Sequence, residues 1–93
     1  MSLRFRWDPR KAISSARKHG IGFPEAMTAF ADPLSVTMPD PDHSAGEERF
    51  LLVGLTAARR LVVVAHSEHG DEIRLISVRT ATRHERETYE EGD

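Results

Sequence analysis

Ninety-three residues, 39% apolar and 30% charged, describe one globular domain with a modest core and argue against wholesale disorder. Zero cysteines exclude disulfides and thiolate metal sites, and no apolar run approaches the length of a membrane span. A net charge of −2 disfavours non-specific nucleic-acid binding by the chain as a whole, but the charge is uneven. Residues 1–20 carry six Lys/Arg against Asp8 alone, residues 21–48 carry six acids and no Lys or Arg, and the remainder is near balance. Eleven of the thirteen bases are arginine, the better fork for phosphate or carboxylate, although solvated surface arginine gives the same count. The opening MSLRFRWD has no signal-peptide apolar stretch, so a cytoplasmic protein is expected.

In chain order, Leu3, Phe5 and Trp7 alternate with Arg4 and Arg6, the pattern of a short half-buried strand. Asp8-Pro9 is a helix start, with Asp as N-cap and Pro in the first turn. Gly20 after Arg17-Lys18-His19 is the matching stop. Phe23-Pro24-Glu25 opens a second helix that packs Ala26, Met27 and Phe30 inward and ends before Asp32-Pro33. Leu34, Val36 and Met38 alternate as a second strand, and Pro39 to Glu48 is a loop by its Pro, Gly and Asp content. Arg49 to Thr56, Arg60 to His66 and Glu72 to Arg79 then form an antiparallel meander, with a turn between His66 and Asp71. The expected fold class is α+β, a twisted, mainly antiparallel sheet in the order β-α-α-β-β-β-β-α. It is one domain over residues 1–93, with two N-terminal helices on one face and the last helix near one edge.

The most informative stretch is Glu72 to Tyr89. Ile73 and Leu75 point to one side of a regular strand and Ile76 and Val78 to the other, which predicts a central strand covered on both faces. Arg74 and Arg79, an odd number of residues apart, are then aimed to opposite faces. Thr82-Arg83-His84-Glu85 has the form of a capping box. The helix after it has one aromatic, Tyr89, and no aliphatic residue, so specific polar contacts must hold it to the sheet. Glu85, Arg86 and Tyr89 share a face with Thr82.

These residues suit phosphate chemistry: an arginine pair for the charge of a pentacoordinate phosphorus, with Glu, His or Tyr to move protons. A salt-bridged polar helix would have the same composition. His66 ends an apolar strand beside the one that carries Arg74, and histidine titrates near neutral pH. The other histidines, His19, His43, His69 and His84, have no metal-like spacing, and Asp40-Pro41-Asp42-His43 has no ordered series of cation ligands. Neither metal nor cofactor is expected. No nucleophile elbow, phosphate-binding Gly loop or dinucleotide turn is present.

Several of these segments resemble the BrnT family of toxins. They are Trp7-Asp8-Pro9, Lys11, Arg17-Lys18-His19-Gly20, Phe23, Glu25-Ala26, Asp32-Pro33, Glu47-Glu48-Arg49-Phe50, Arg74 to Ala81, Glu85-Arg86 and Tyr89. Ser15-Ala16 stands where the family usually has Asn-Leu. The resemblance implies a RelE-like fold and a ribonuclease toxin of a type II toxin–antitoxin system. Such an enzyme cleaves RNA without metal by 2′-hydroxyl attack and arrests translation. It further implies a BrnA-like ribbon-helix-helix antitoxin, operator DNA bound only through that antitoxin, and a homodimer or toxin–antitoxin hetero-oligomer. Carried over residue by residue, Arg79, Glu85, Arg86 and Tyr89 are the catalytic candidates, with His66 as a further general-acid candidate. Arg74, Lys11 and Arg49 are the RNA-binding candidates. The alternative is a non-catalytic toxin-like module that partners a DNA-binding protein as co-repressor.

Overall fold

The computed structural model describes residues 3–41 and 48–92. His43 and most of the Pro39–Glu48 loop lie outside the described residues. The elements are β1 (Arg4–Arg6), α1 (Pro9–His19), α2 (Phe23–Ala29), β2 (Val36–Pro39), β3 (Phe50–Leu55), β4 (Leu61–His69), β5 (Glu72–Thr80) and α3 (Arg83–Glu91). The five strands form one sheet in the order β1-β5-β4-β3-β2, with β1 parallel to β5 and every other pair antiparallel.

Local chemistry sets most boundaries. The Asp8 side chain accepts from Arg10 N at the start of α1, and Gly20 closes that helix in the left-handed region at φ 71°. Thr82 and Glu85 form a reciprocal capping box on α3. Leu34, expected to open β2, is instead 64% exposed in a turn. There Asp32 accepts from Leu34 N through its side chain and from Ser35 N through its carbonyl, and the strand begins at Val36. The second meander strand also runs further than its apolar residues do. β4 continues past His66 to His69 and turns only at Gly70, φ 65°.

The core lies between the first face of the sheet and α2. Ile21, Phe23, Ala26 and Ala29 pack on Leu52, Val62, Val64, Ile73, Leu75 and Val78. Gly54 permits the close approach of β3 to α2, since a Cβ there would stand 3.0 Å from the Ala29 carbonyl oxygen. α1 covers the stretch of β5 that β1 is too short to reach. The buried Ser15 hydroxyl donates to the Val78 carbonyl (3.1 Å) and accepts from the Val78 N–H (3.2 Å), substituting for a neighbouring strand. Among the described residues no buried side-chain polar atom lacks a partner, and no helix is long and apolar enough to cross a membrane.

The last helix does not sit at a sheet edge. α3 crosses the second face above β3, where Ala81 and Tyr89 join Val53, Leu61 and Val63 in a smaller apolar cluster. None of its residues is buried, so little hydrophobic area holds it.

Candidate active site

The second face owes its character to a bulge in β5. Val78 pairs with Val64 and Ser77 with Ala65, but the next residue of β4, His66, pairs with Leu75, so Ile76 is an extra residue on β5. A regular strand would send Val78 to the side away from Ile73 and Leu75. With the bulge all three enter the first-face core. Arg74, opposite Ser67, and Arg79, opposite Val63, consequently lie on one face, five residues and roughly 15 Å apart along the strand. The expectation that these arginines face opposite ways is corrected by this one residue.

Arg79 is held rigidly. Its two terminal nitrogens donate to the two Glu85 oxygens at 2.7 and 2.8 Å. Glu85 also accepts from Thr82 N at 2.8 Å, so one carboxylate both starts α3 and aligns the guanidinium. The Arg79 contact, outweighing partial burial, lowers the Glu85 pKa to about 2. At neutral pH Glu85 is an ionised, fully engaged acceptor.

Tyr89 donates to Asp32 Oδ2 at 2.7 Å, and Asp32 also accepts from Leu34 N and Leu55 N. Burial opposes charge on Asp32, but these hydrogen bonds prevail and hold its carboxyl below the usual range. The same bond raises the Tyr89 phenol. Tyr89 therefore fastens α3 to the turn that precedes β2. Arg86 is exposed on α3.

His66 is on the other side of the sheet. It is fully buried, edge-on to Phe30 (5.0 Å between centroids) and near Phe50 (6.0 Å), with Nε2 2.9 Å from Glu68 Oε2 and Nδ1 3.2 Å from the Val64 carbonyl. The structure does not bring it together with Arg79 and Glu85. Lys11 lines a shallow groove with Ser14, Lys18, His19, Ile76 and Ser77, between α1 and the bulge. Arg49 is half-buried just before β3, where its carbonyl accepts from Asp40 N.

Two groupings of residues escaped the sequence reading, which names Arg74 singly as an RNA-binding candidate. Glu25, on α2, takes Arg60 and the Thr56 hydroxyl (2.8 Å) as partners, clamping the β3–β4 turn to the helix. Arg6, Trp7, Asp8, His69, Glu72 and Arg74 line an open groove of about 690 Å³ where β1, β5 and β4 meet. Extending the apolar/polar alternation of β4 through Ser67 to His69 would have found the second group. Among the described residues, no three His, Cys, Asp or Glu cluster to hold a metal ion.

Comparison with known proteins bears on the fold and the family. A crystal structure of the Brucella abortus ribonuclease toxin BrnT superposes with a TM-score of 0.67 at 19% identity, covering 88% of this chain and all of the other. That likeness shows the fold. No curated protein sequence matches the chain. A family profile described as the ribonuclease toxin BrnT of type II toxin–antitoxin systems matches residues 7–85. With its α+β order and most of its length inside that match, the chain belongs to the BrnT family of ribonuclease toxins of type II toxin–antitoxin systems.

Proposed function

We propose that this chain is a cytoplasmic, metal-independent endoribonuclease that arrests translation and binds RNA across the second face of its sheet. The observation that carries this reading is the bulge at Ile76, which gives Arg74 and Arg79 a common face. Two guanidinium groups along one strand suit a polyanion better than two on opposite faces. Arg79, already aligned by Glu85, meets an RNA phosphate with little loss of side-chain freedom. Arg86, Lys11 and Arg49 extend the backbone contacts. Glu85 serves as the group that orients Arg79, because a carboxylate held at about pKa 2 is a poor proton acceptor at neutral pH. Tyr89 keeps α3 in place, and His66 supports the sheet from beneath.

The cleavage proposed is attack of the ribose 2′-hydroxyl on the adjacent phosphate, leaving a 2′,3′-cyclic phosphate. A BrnA-like ribbon-helix-helix antitoxin neutralises the toxin and carries the complex to operator DNA. The closed Arg79–Glu85 pair also favours a second reading, a non-catalytic partner of that antitoxin, because the pair is internally satisfied without RNA. Incubating a defined RNA with the purified chain and no added metal separates the two. The enzyme reading expects cyclic-phosphate ends, and a fall in kcat/KM of roughly tenfold to a hundredfold for Arg79→Ala, the loss of one charge-assisted hydrogen-bonding group. No cleavage by folded wild-type protein, with or without ribosomes, selects the non-catalytic module.

A further inference from the structure

α1 carries bases and no acids. Between Pro9 and His19 it holds Arg10, Lys11, Arg17, Lys18 and His19, without one Asp or Glu. Lys11, Ser14 and Lys18 recur at intervals of three and four, so they share one face of the helix. That face meets β5 at the bulge, where Lys11, Ser14, Lys18 and His19 stand across a groove of about 350 Å³ from Ile76 and Ser77. Among the described residues no carboxylate lines this groove, and none pairs with Lys11, Lys18 or His19. The side-chain hydroxyls of Ser14 and Ser77 likewise make no hydrogen bond to a described residue. Cations without counter-charges, beside hydroxyl donors without acceptors, are the chemistry that takes an oxyanion.

We infer that this groove holds a backbone phosphate of the RNA, next along the strand from the phosphate met by Arg79. The RNA thus passes from the second face of the sheet onto α1. That the polyanion is RNA rests on the ribonuclease reading; that the groove takes a polyanion rests on its own residues. Strand register connects the two places. Residues 77–79 pair regularly with residues 63–65 of β4, so Ser77 and Arg79 point to the same face, roughly 7 Å apart along the strand. The groove is also built before a ligand arrives. The buried Ser15 hydroxyl bonds both the carbonyl and the N–H of Val78, which pins α1 to β5 at this point and lowers the ordering cost of binding. Lys11 and Lys18 lie roughly 10.5 Å apart along the helix axis, a spacing that suits a chain of repeating charge. The groove in front of β1 is a different case, because Asp8 and Glu72 stand among its arginines. Ammonium and hydroxyl groups here reach phosphate and ribose, so the grip is independent of base sequence.

The test measures binding of a cleavage-resistant 2′-O-methyl RNA across a salt series. Wild type is compared with a Lys11→Gln/Lys18→Gln double variant and with Arg10→Gln/Arg17→Gln. All four residues are exposed, and urea unfolding checks each fold. Arg10 and Arg17 lie on the same helix outside the groove, so the second variant matches the charge change without touching the site. The lysine variant is expected to bind about tenfold more weakly and to flatten the slope of log K against log salt by roughly 1.4, two phosphate contacts at about 0.7 each. The arginine variant should stay within about threefold of wild type. On unmodified RNA without added metal, the lysine variant should raise KM and leave kcat near wild type, since a flanking phosphate is held equally in ground and transition states.

If the lysine variant binds no more weakly than the arginine variant, the groove is not an RNA subsite, while cleavage by wild type keeps the ribonuclease reading. If wild type cleaves no RNA and the lysine variant still binds it selectively more weakly, the ribonuclease reading falls and the groove stands. If folded wild type neither cleaves nor binds RNA, both fall. Polyglutamate that binds wild type as tightly as RNA, with the same loss in the lysine variant, would assign the groove to an acidic protein segment and overturn the inference.

Discussion

Beneath α1 and α2 the sheet is sealed by side chains such as Phe23, Ile21, Leu75 and Val78, each with at most 1% of its surface exposed. On the opposite face α3 contributes only Tyr89 to an apolar cluster, beside Ala81 of the preceding connection, and is otherwise fastened by the Arg79–Glu85 ion pair and the Tyr89–Asp32 hydrogen bond. His66 and His69, three residues apart on β4, show the difference in miniature. One is shut between two phenylalanine rings and the other opens onto the groove lined by Arg6 and Arg74 together with Asp8 and Glu72. The first face supplies stability through area, which is non-directional and tolerates no hole. The second is held by a few directional contacts, so it can present charge to a ligand without unfolding the domain.

The contrast is most sharply broken by emptying the first face. Phe23→Ala is expected to cost about 3–5 kcal/mol, measured by urea unfolding, because the fully buried ring leaves a cavity that α2 cannot close. A loss under about 1 kcal/mol would show that the helix collapses onto the sheet, contrary to a close-packed face.

Glu85→Gln probes the second face and should cost less, roughly 1–2 kcal/mol at neutral pH once its partial exposure is allowed for. The pH dependence gives the sign. Because the folded-state pKa of Glu85 is depressed from 4.5 to about 2, its contribution is present above the ordinary carboxylate pKa. It is lost as pH falls through that window. Wild type and variant should therefore differ at neutral pH and converge toward pH 2; parallel stability curves would assign the effect to packing instead.

The smallest expected effect is that of Tyr89→Phe, about 1 kcal/mol, since the ring stays and Asp32 keeps its bonds to Leu34 N and Leu55 N. Its diagnostic is local. Amide exchange should quicken in α3 and stay unchanged in β4, whereas a uniform rise would mean that α3 is not separately held.

Much of the architecture was legible in the residues. Asp8-Pro9, Gly20 and the Thr82–Glu85 box mark helix ends because capping is a contact between near neighbours in the chain. The absence of aliphatic residues in α3 correctly required polar fastening, and Glu85 and Tyr89 provide it. The family match covering residues 7–85 likewise agrees with the motifs read from Trp7 to Glu85. Leu34 was misread because alternation alone cannot register that Asp32 folds back on its backbone.

What the sequence determined by itself was therefore local or periodic: the element order, the helix caps, the apolar content of each strand and the family. Tertiary structure decided the rest, since a strand's period of two holds only while its partner keeps register. The extra residue at Ile76, set by pairing with β4, moved Val78 into the core and brought Arg79 onto the face of Arg74. The same pairing carried β4 on to His69 and placed it across from Glu72, beside an arginine from the far end of the chain. Such neighbours, more than sixty residues apart in sequence, exist only once the sheet has closed.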